Sequence, residues 1–201
     1  MKRLLIATGN KGKVKEIRQI LAGSDIEVQS LADYPDVPEA IEDADTFLGN
    51  AIKKASHYQE HLKVPTIADD SGLVVDALDG APGVYSARYA GEPGNDRNNN
   101  EKLLKELATA GALRPEQRKA KFVCAMVYLD GGTMYSAQGE VQGHIGDEFK
   151  GSNGFGYDPL FMVEDTGFTA AELPPEKKNA VSHRGRALRL LIEKLRINGV
   201  L

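Results

Sequence analysis

The stretch "RLLIATGNKGKVKEIRQILAG", residues 3–23, changes its period partway along. Residues 3–8 are a short apolar run, which predicts a buried strand. From Asn10 onward Val14, Ile17 and Leu21 recur at helical spacing until Gly23 stops the pattern. A strand that runs straight into a helix is how an α/β chain begins.

The alternation continues outward from there. Residues 26–31 alternate and predict a second strand, followed by an acidic, proline-containing loop over 34–45. Phe47, Ala51, Ile52, Ala55, Tyr58 and Leu62 trace one face of a helix ending near Val64 and Pro65. Residues 66–68 predict a brief strand running into "DDSG", residues 73–78 continue, and "GAPG" (80–83) reads as a turn. Residues 98–111 give another amphipathic helix. Later, "KFVCAMVYL" and "TMYSAQGEVQG" flank Asp130, Gly131 and Gly132, a hairpin connection. "PLFMV" is a further strand, and residues 182–195 close the pattern as a helix with Ser182 as its N-cap. The expected architecture is one α/β domain: a mixed β-sheet flanked by helices, with an antiparallel hairpin set into a wound topology.

Bulk composition narrows the function classes. The chain has 201 residues and a net charge of −4, so there is no global basic field for a nucleic acid. No apolar run approaches the roughly 20 residues of a membrane span, so no membrane association is expected. The single cysteine, Cys124, excludes an internal disulfide and fits a reducing cytosol.

Three places break local rules. Lys11, Lys13 and Lys15 crowd the opening turns of the first helix, where the dipole makes cations mildly unfavourable. An arriving phosphate would reverse that sign; a solvated basic helix start is the plainer alternative. His183, Arg184 and Arg186 repeat the pattern in the last helix, just after Lys177 and Lys178. Asp69 and Asp70 are adjacent carboxylates and point opposite ways on an extended chain, so one faces the site and the other holds the loop. Hard carboxylate oxygens suit Mg2+, and Glu42 in the acidic loop is the other candidate ligand; a solvated turn is the alternative. In "SNGFGYDPLF" (152–161), Phe155 and Tyr157 sit on a glycine-softened backbone: either a tight turn or a seat for something flat. His57 and His61 have a zinc-compatible spacing, but no third ligand is apparent. Arg88 fits a phosphate contact and a loop-pinning role equally.

Together, "TGNKGK" (8–13), residues 68–91, "GFGYDPLF" (154–161) and residues 171–188 closely resemble the inosine triphosphate pyrophosphatase family, in order and at compatible spacing along almost the whole chain. The resemblance implies an elongated α/β fold of two lobes with a central cleft, a homodimer, and Mg2+-dependent hydrolysis of ITP, dITP and XTP to the monophosphate and pyrophosphate. By that resemblance Thr8, Gly9, Asn10, Lys11, Gly12 and Lys13 form the triphosphate loop. Asp70 matches the proton acceptor and metal ligand, and Glu42 a metal-binding acid. Ser71, Lys54, Lys178, His183 and Arg184 match substrate contacts, the last two near the base. Phe155, Gly156, Tyr157 and Asp158 line the nucleoside pocket. One departure is visible: the family often has Thr-Phe-x-Glu-Asn where this chain has "TFLGN", with Gly49 in place of the acid. Pyrophosphatases of other modified nucleotides, a non-catalytic nucleotide-binding regulator and a zinc hydrolase are the alternative readings.

Overall fold

Strand β1 (Lys2–Ile6) buries its residues in two directions. Leu4 and Ile6 pack with Ile17 and Leu21, from α1 (Lys11–Ile20) and its C-cap, and with Leu188 and Leu191 of α5 (His183–Ile197). Leu5 and Ala7 pack with Ala51, Ala55 and Tyr58 of α2 (Phe47–Leu62). The two-residue period of a strand thus places helices on both faces. Each fully buried leucine or isoleucine contributes roughly 1.5–3 kcal/mol. The molecule is a computed structural model describing residues 2–23, 25–91 and 94–201.

The remaining strands are β2 (Ile26–Ser30), β3 (Thr66–Val75), β4 (Lys119–Asp130), β5 (Thr133–Ile145) and β6 (Phe161–Val163). They form one six-stranded sheet in the order β2-β1-β3-β4-β5-β6. β1 runs parallel to β2 and β3, whereas β6 pairs antiparallel with β5. The expected mixed sheet flanked by helices is therefore the observed one, and Gly131-Gly132 joins β4 to β5 as expected.

The chain divides into two units: Met1–Asp70 with Cys124–Gly139 and Arg184–Leu201, and Ser71–Val123 with Glu140–His183. The second unit has its own core, in which Leu103 and Leu107 of α3 (Asp96–Thr109) pack with Leu73, Phe122, Ile145 and Phe161.

Two local expectations differ from the structure. "DDSG" is not a turn: Asp69, Asp70 and Ser71 lie inside a continuous ten-residue β3. The strand continues because the charge of Asp69 meets buried cations rather than water. A short helix, α4 (Pro175–Val181), also precedes α5, with Ser182 extended between them as the C-cap of α4. Proline at its first position starts it, since the missing N–H there costs nothing.

Candidate active site

In the first unit the site starts where β1 ends. Asn10 caps α1, its side chain accepting from the N–H groups of Gly12 at 2.9 Å and Lys13 at 3.1 Å. Thr8 is buried, and its hydroxyl accepts from the Asn10 N–H at 3.2 Å. No acid occupies the first turn of α1, so Lys11 and Lys13 add to the dipole there.

Lys13 reaches across to β3, where its ammonium pairs with Asp69 Oδ2 at 2.9 Å. Arg184, at the start of α5, brings Nε to 3.6 Å from the same oxygen. Lys54 of α2 donates to the Asp69 carbonyl at 3.0 Å and pairs with Glu42 at 2.7 Å. Burial pushes the Asp69 carboxyl up. The Lys13, Arg184 and Lys54 charges outweigh that and hold it well below the usual carboxylate range. Burial also works against the Lys54 ammonium, yet Asp69, Glu42 and Asp70 together keep its pKa raised.

Asp70 has a different environment. Burial is the largest influence and raises its pKa, opposed by a hydrogen bond from Asn50 and by the charges of Lys54 and Lys13. The Asn50 amide donates to Asp70 Oδ2 at 3.0 Å. Adjacent carboxylates therefore have different surroundings: Asp69 lies among buried cations, which hold its pKa down, whereas burial raises that of Asp70. Cys124 packs beside Asp69 with its thiol raised by burial, consistent with a small core residue.

Glu42 and Asp70 offer hard carboxylate oxygens around the Lys54 charge, the kind of donor that holds Mg2+ by one or two carboxylates together with substrate phosphates.

In the second unit, Asp158 organises the glycine-rich loop. It accepts from the Phe155 N–H at 2.9 Å and pairs with Lys178 of α4 at 2.7 Å. Lys178 also lies 5.1 Å from the Phe155 ring centroid, a cation–π contact. Gly154 has φ +82°, and a Cβ there would meet Asp158 Oδ2 at 2.1 Å, so only glycine fits. The Gly156 N–H donates to Asp96 at 2.7 Å, and its carbonyl accepts from Asn100 at 2.8 Å. The two rings of the loop differ. Phe155 is half-buried, whereas Tyr157 is buried in the core with its hydroxyl donating to the Ser86 carbonyl at 2.9 Å. Tyr157 therefore braces the loop from beneath. His183 is buried and stacks on Phe122 at 4.8 Å between centroids. Ser71 is half-buried within β3.

No sequence motif marks Asn50, Asp96 or Asn100, which folding places beside Asp70 and Gly156. The signal for Asn50 is a polar residue three positions after Phe47, on the apolar face of the helix, where it is buried. The zinc-compatible pair has other partners: ring N–H groups of His57 and His61 each donate to a backbone carbonyl at 2.7 Å, those of Pro38 and His57. Among the described residues no three His, Cys, Asp or Glu side chains form a metal cluster. Arg88 lies 5.2 Å from the Tyr85 ring centroid.

Comparison with known proteins supplies the context. A sequence model described as the Ham1 family matches residues 4–194. A Geobacter sulfurreducens protein named dITP/XTP pyrophosphatase is 54% identical over 201 residues, covering 100% of both chains. One from Listeria monocytogenes with the same name is 50% identical over 196 residues, covering 97% of this chain and 95% of its own. The solved structure of a HAM1 protein from Coxiella burnetii superposes with a TM-score of 0.88 at 38% identity, covering 98% of this chain and 99% of that one.

Proposed function

The chain belongs to the Ham1 family, and we propose that it hydrolyses deaminated purine nucleoside triphosphates (dITP, ITP and XTP) to the monophosphate and pyrophosphate, cleansing the nucleotide pool. Residues 1–201 are read as one pyrophosphatase domain. The observation that carries the reading is the division of labour on β3, where Asp69 gathers Lys13, Arg184 and Lys54 while Asp70 is held by Asn50 with a raised pKa.

In this reading the N–H groups at the start of α1, with Thr8, Gly9, Asn10, Lys11, Gly12 and Lys13, receive the triphosphate. Lys54 adds charge toward the phosphates, and Ser71 is a further substrate contact. Asp70 orients a water and takes its proton as the water oxygen bonds to the α-phosphorus. The bond from that phosphorus to the β-bridging oxygen breaks, and pyrophosphate leaves. When bound by Asp70 and Glu42, Mg2+ supplies Lewis-acid charge for the phosphate oxygens. Phe155 offers a face to the flat base, with Gly156, Asp158 and the buried Tyr157 shaping the loop and Lys178 beside the ring. Donors from His183 and Arg184 favour a 6-oxo group over the amino group of adenine, because a buried polar site rejects a mismatched partner. The resemblance supports a homodimer, and the single buried cysteine supports a reducing cytoplasm. No described helix is long and apolar enough to cross a membrane.

The test is a panel of dITP, ITP, XTP, GTP and ATP with Mg2+, scoring pyrophosphate against orthophosphate. Fast pyrophosphate release from the deaminated nucleotides is expected. Orthophosphate as the first product would overturn the cleavage point, and tight retention of ITP without release would make the protein a regulator.

A further inference from the structure

The acidic segment before α2 lies back along the first turns of that helix. Glu42 pairs with Lys54 at 2.7 Å, and Asp43 pairs with Lys53. The Ala44 N–H donates to Asn50 Oδ1 at 2.8 Å, and Thr46 Oγ1 accepts from the Gly49 N–H at 3.0 Å. This approach depends on position 49. A Cβ built on Gly49 would lie 2.8 Å from Ala44 Cβ and 3.0 Å from Thr46 Oγ1, inside the distance at which carbons pack. Gly49 sits within α2, where its backbone makes no demand for glycine, so the residue is there for room.

The consequence reaches Asp70 through Asn50, which is 1% exposed. A backbone N–H only donates, so the Asn50 atom facing Ala44 is its carbonyl oxygen. The amide NH2 therefore faces Asp70 and donates to Oδ2 at 3.0 Å.

We propose that Gly49 and Asn50 are positioning residues for the reaction. Gly49 seats the acidic segment, the seated Ala44 N–H fixes the Asn50 amide, and that amide holds the Asp70 carboxylate in one orientation. The same seat sets Glu42 against Lys54, so one short stretch places both carboxylates assigned to the metal. The inference rests on the pyrophosphatase reading and deepens it.

The experiment compares dITP hydrolysis, Mn2+ binding to the nucleotide-free protein by calorimetry, and Tm across one set of variants. Asn50→Leu is expected to lower kcat by about tenfold or more, with a smaller change in KM, and to weaken Mn2+ binding by a similar factor. Asn50→Asp keeps the size, cannot donate when ionised, and is expected to behave alike. Gly49→Ala is expected to lower kcat and Mn2+ affinity in the same direction, and to miss the stability that alanine normally brings to a helix. Adding Ala44→Gly to Gly49→Ala removes the crowding carbon and is expected to recover most of the loss. The proposal is overturned if Asn50→Leu and Gly49→Ala keep parental kcat and Mn2+ affinity, or if Ala44→Gly recovers nothing. Should Asn50→Leu not fold, Gly49→Ala and its rescue decide. If the parent releases no pyrophosphate, the functional reading falls, and the Mn2+ affinities of parent and variants still judge the positioning pair.

Discussion

At the scale of single residues, Asp69 and Asp70 show how neighbours in sequence acquire opposite roles. Their side chains leave a strand on opposite faces. One meets Lys13 and Arg184, the other Asn50. Asp69→Asn removes the anion from buried cations and is expected to cost about 3–5 kcal/mol of stability, read by denaturant unfolding. Asp70→Asn is expected to keep the Tm of the parent and lose about a hundredfold or more of kcat. A variant at Asp70 with near-parental turnover would remove it from the chemistry. The pH dependence follows from Asp69. Its folded pKa is depressed, so its stabilisation is complete above the ordinary carboxylate pKa of about 4 and is lost as the pH falls toward the folded value. The acid side of the Tm profile is therefore expected to be flatter in Asp69→Asn than in the parent. Adjacent acids were legible in the sequence as a costly pair needing compensation. Which of them would hold the cations was not, because Lys13 lies 56 positions away and arrives only through folding.

At the scale of elements, local chemistry accounts for most boundaries. Asn10 caps α1, Thr46 caps α2, and the apolar spacing of both helices matches their buried faces. The sequence of the glycine-rich loop fits either a tight turn or a seat for a flat ligand. Asp158 ties it like a turn, while Phe155 remains half-exposed above the buried Tyr157. Gly154→Ala is expected to cost about 1–3 kcal/mol, because it forces a side chain into a left-handed conformation. It also drives a carbon against Asp158, which lies 2.1 Å from the built Cβ. Its KM for dITP should rise with the lost loop geometry, which steady-state kinetics would check; an unchanged KM would separate the loop from nucleotide binding. The uninterrupted β3 ran against local signals. Asp, Asp, Ser and Gly are turn residues by propensity, but partners distant in sequence satisfied them in place and the ladder continued.

At the scale of the whole molecule, each unit has its own apolar core. Leu4, Ile67, Met126 and Leu191 lie in one cluster of the first unit, and Leu73, Leu103, Leu160 and Phe161 in the core of the second. Stripping divalent cations with a chelator is therefore expected to abolish pyrophosphate release while leaving the circular dichroism and Tm of the nucleotide-free protein nearly unchanged. A large loss of Tm would mean that the metal holds the fold. Sequence alone determined the alternation of strands and helices, the basic helix starts and the motifs that carry the family resemblance, because each depends on periodicity or on neighbours a few positions apart. Tertiary structure alone decided that β3 runs through its acids, that Tyr157 braces the loop from the core, and that Gly49 makes room for the segment facing Asn50. Those outcomes depend on which buried charge, carbonyl or carbon lies opposite, and only the folded chain brings such partners together.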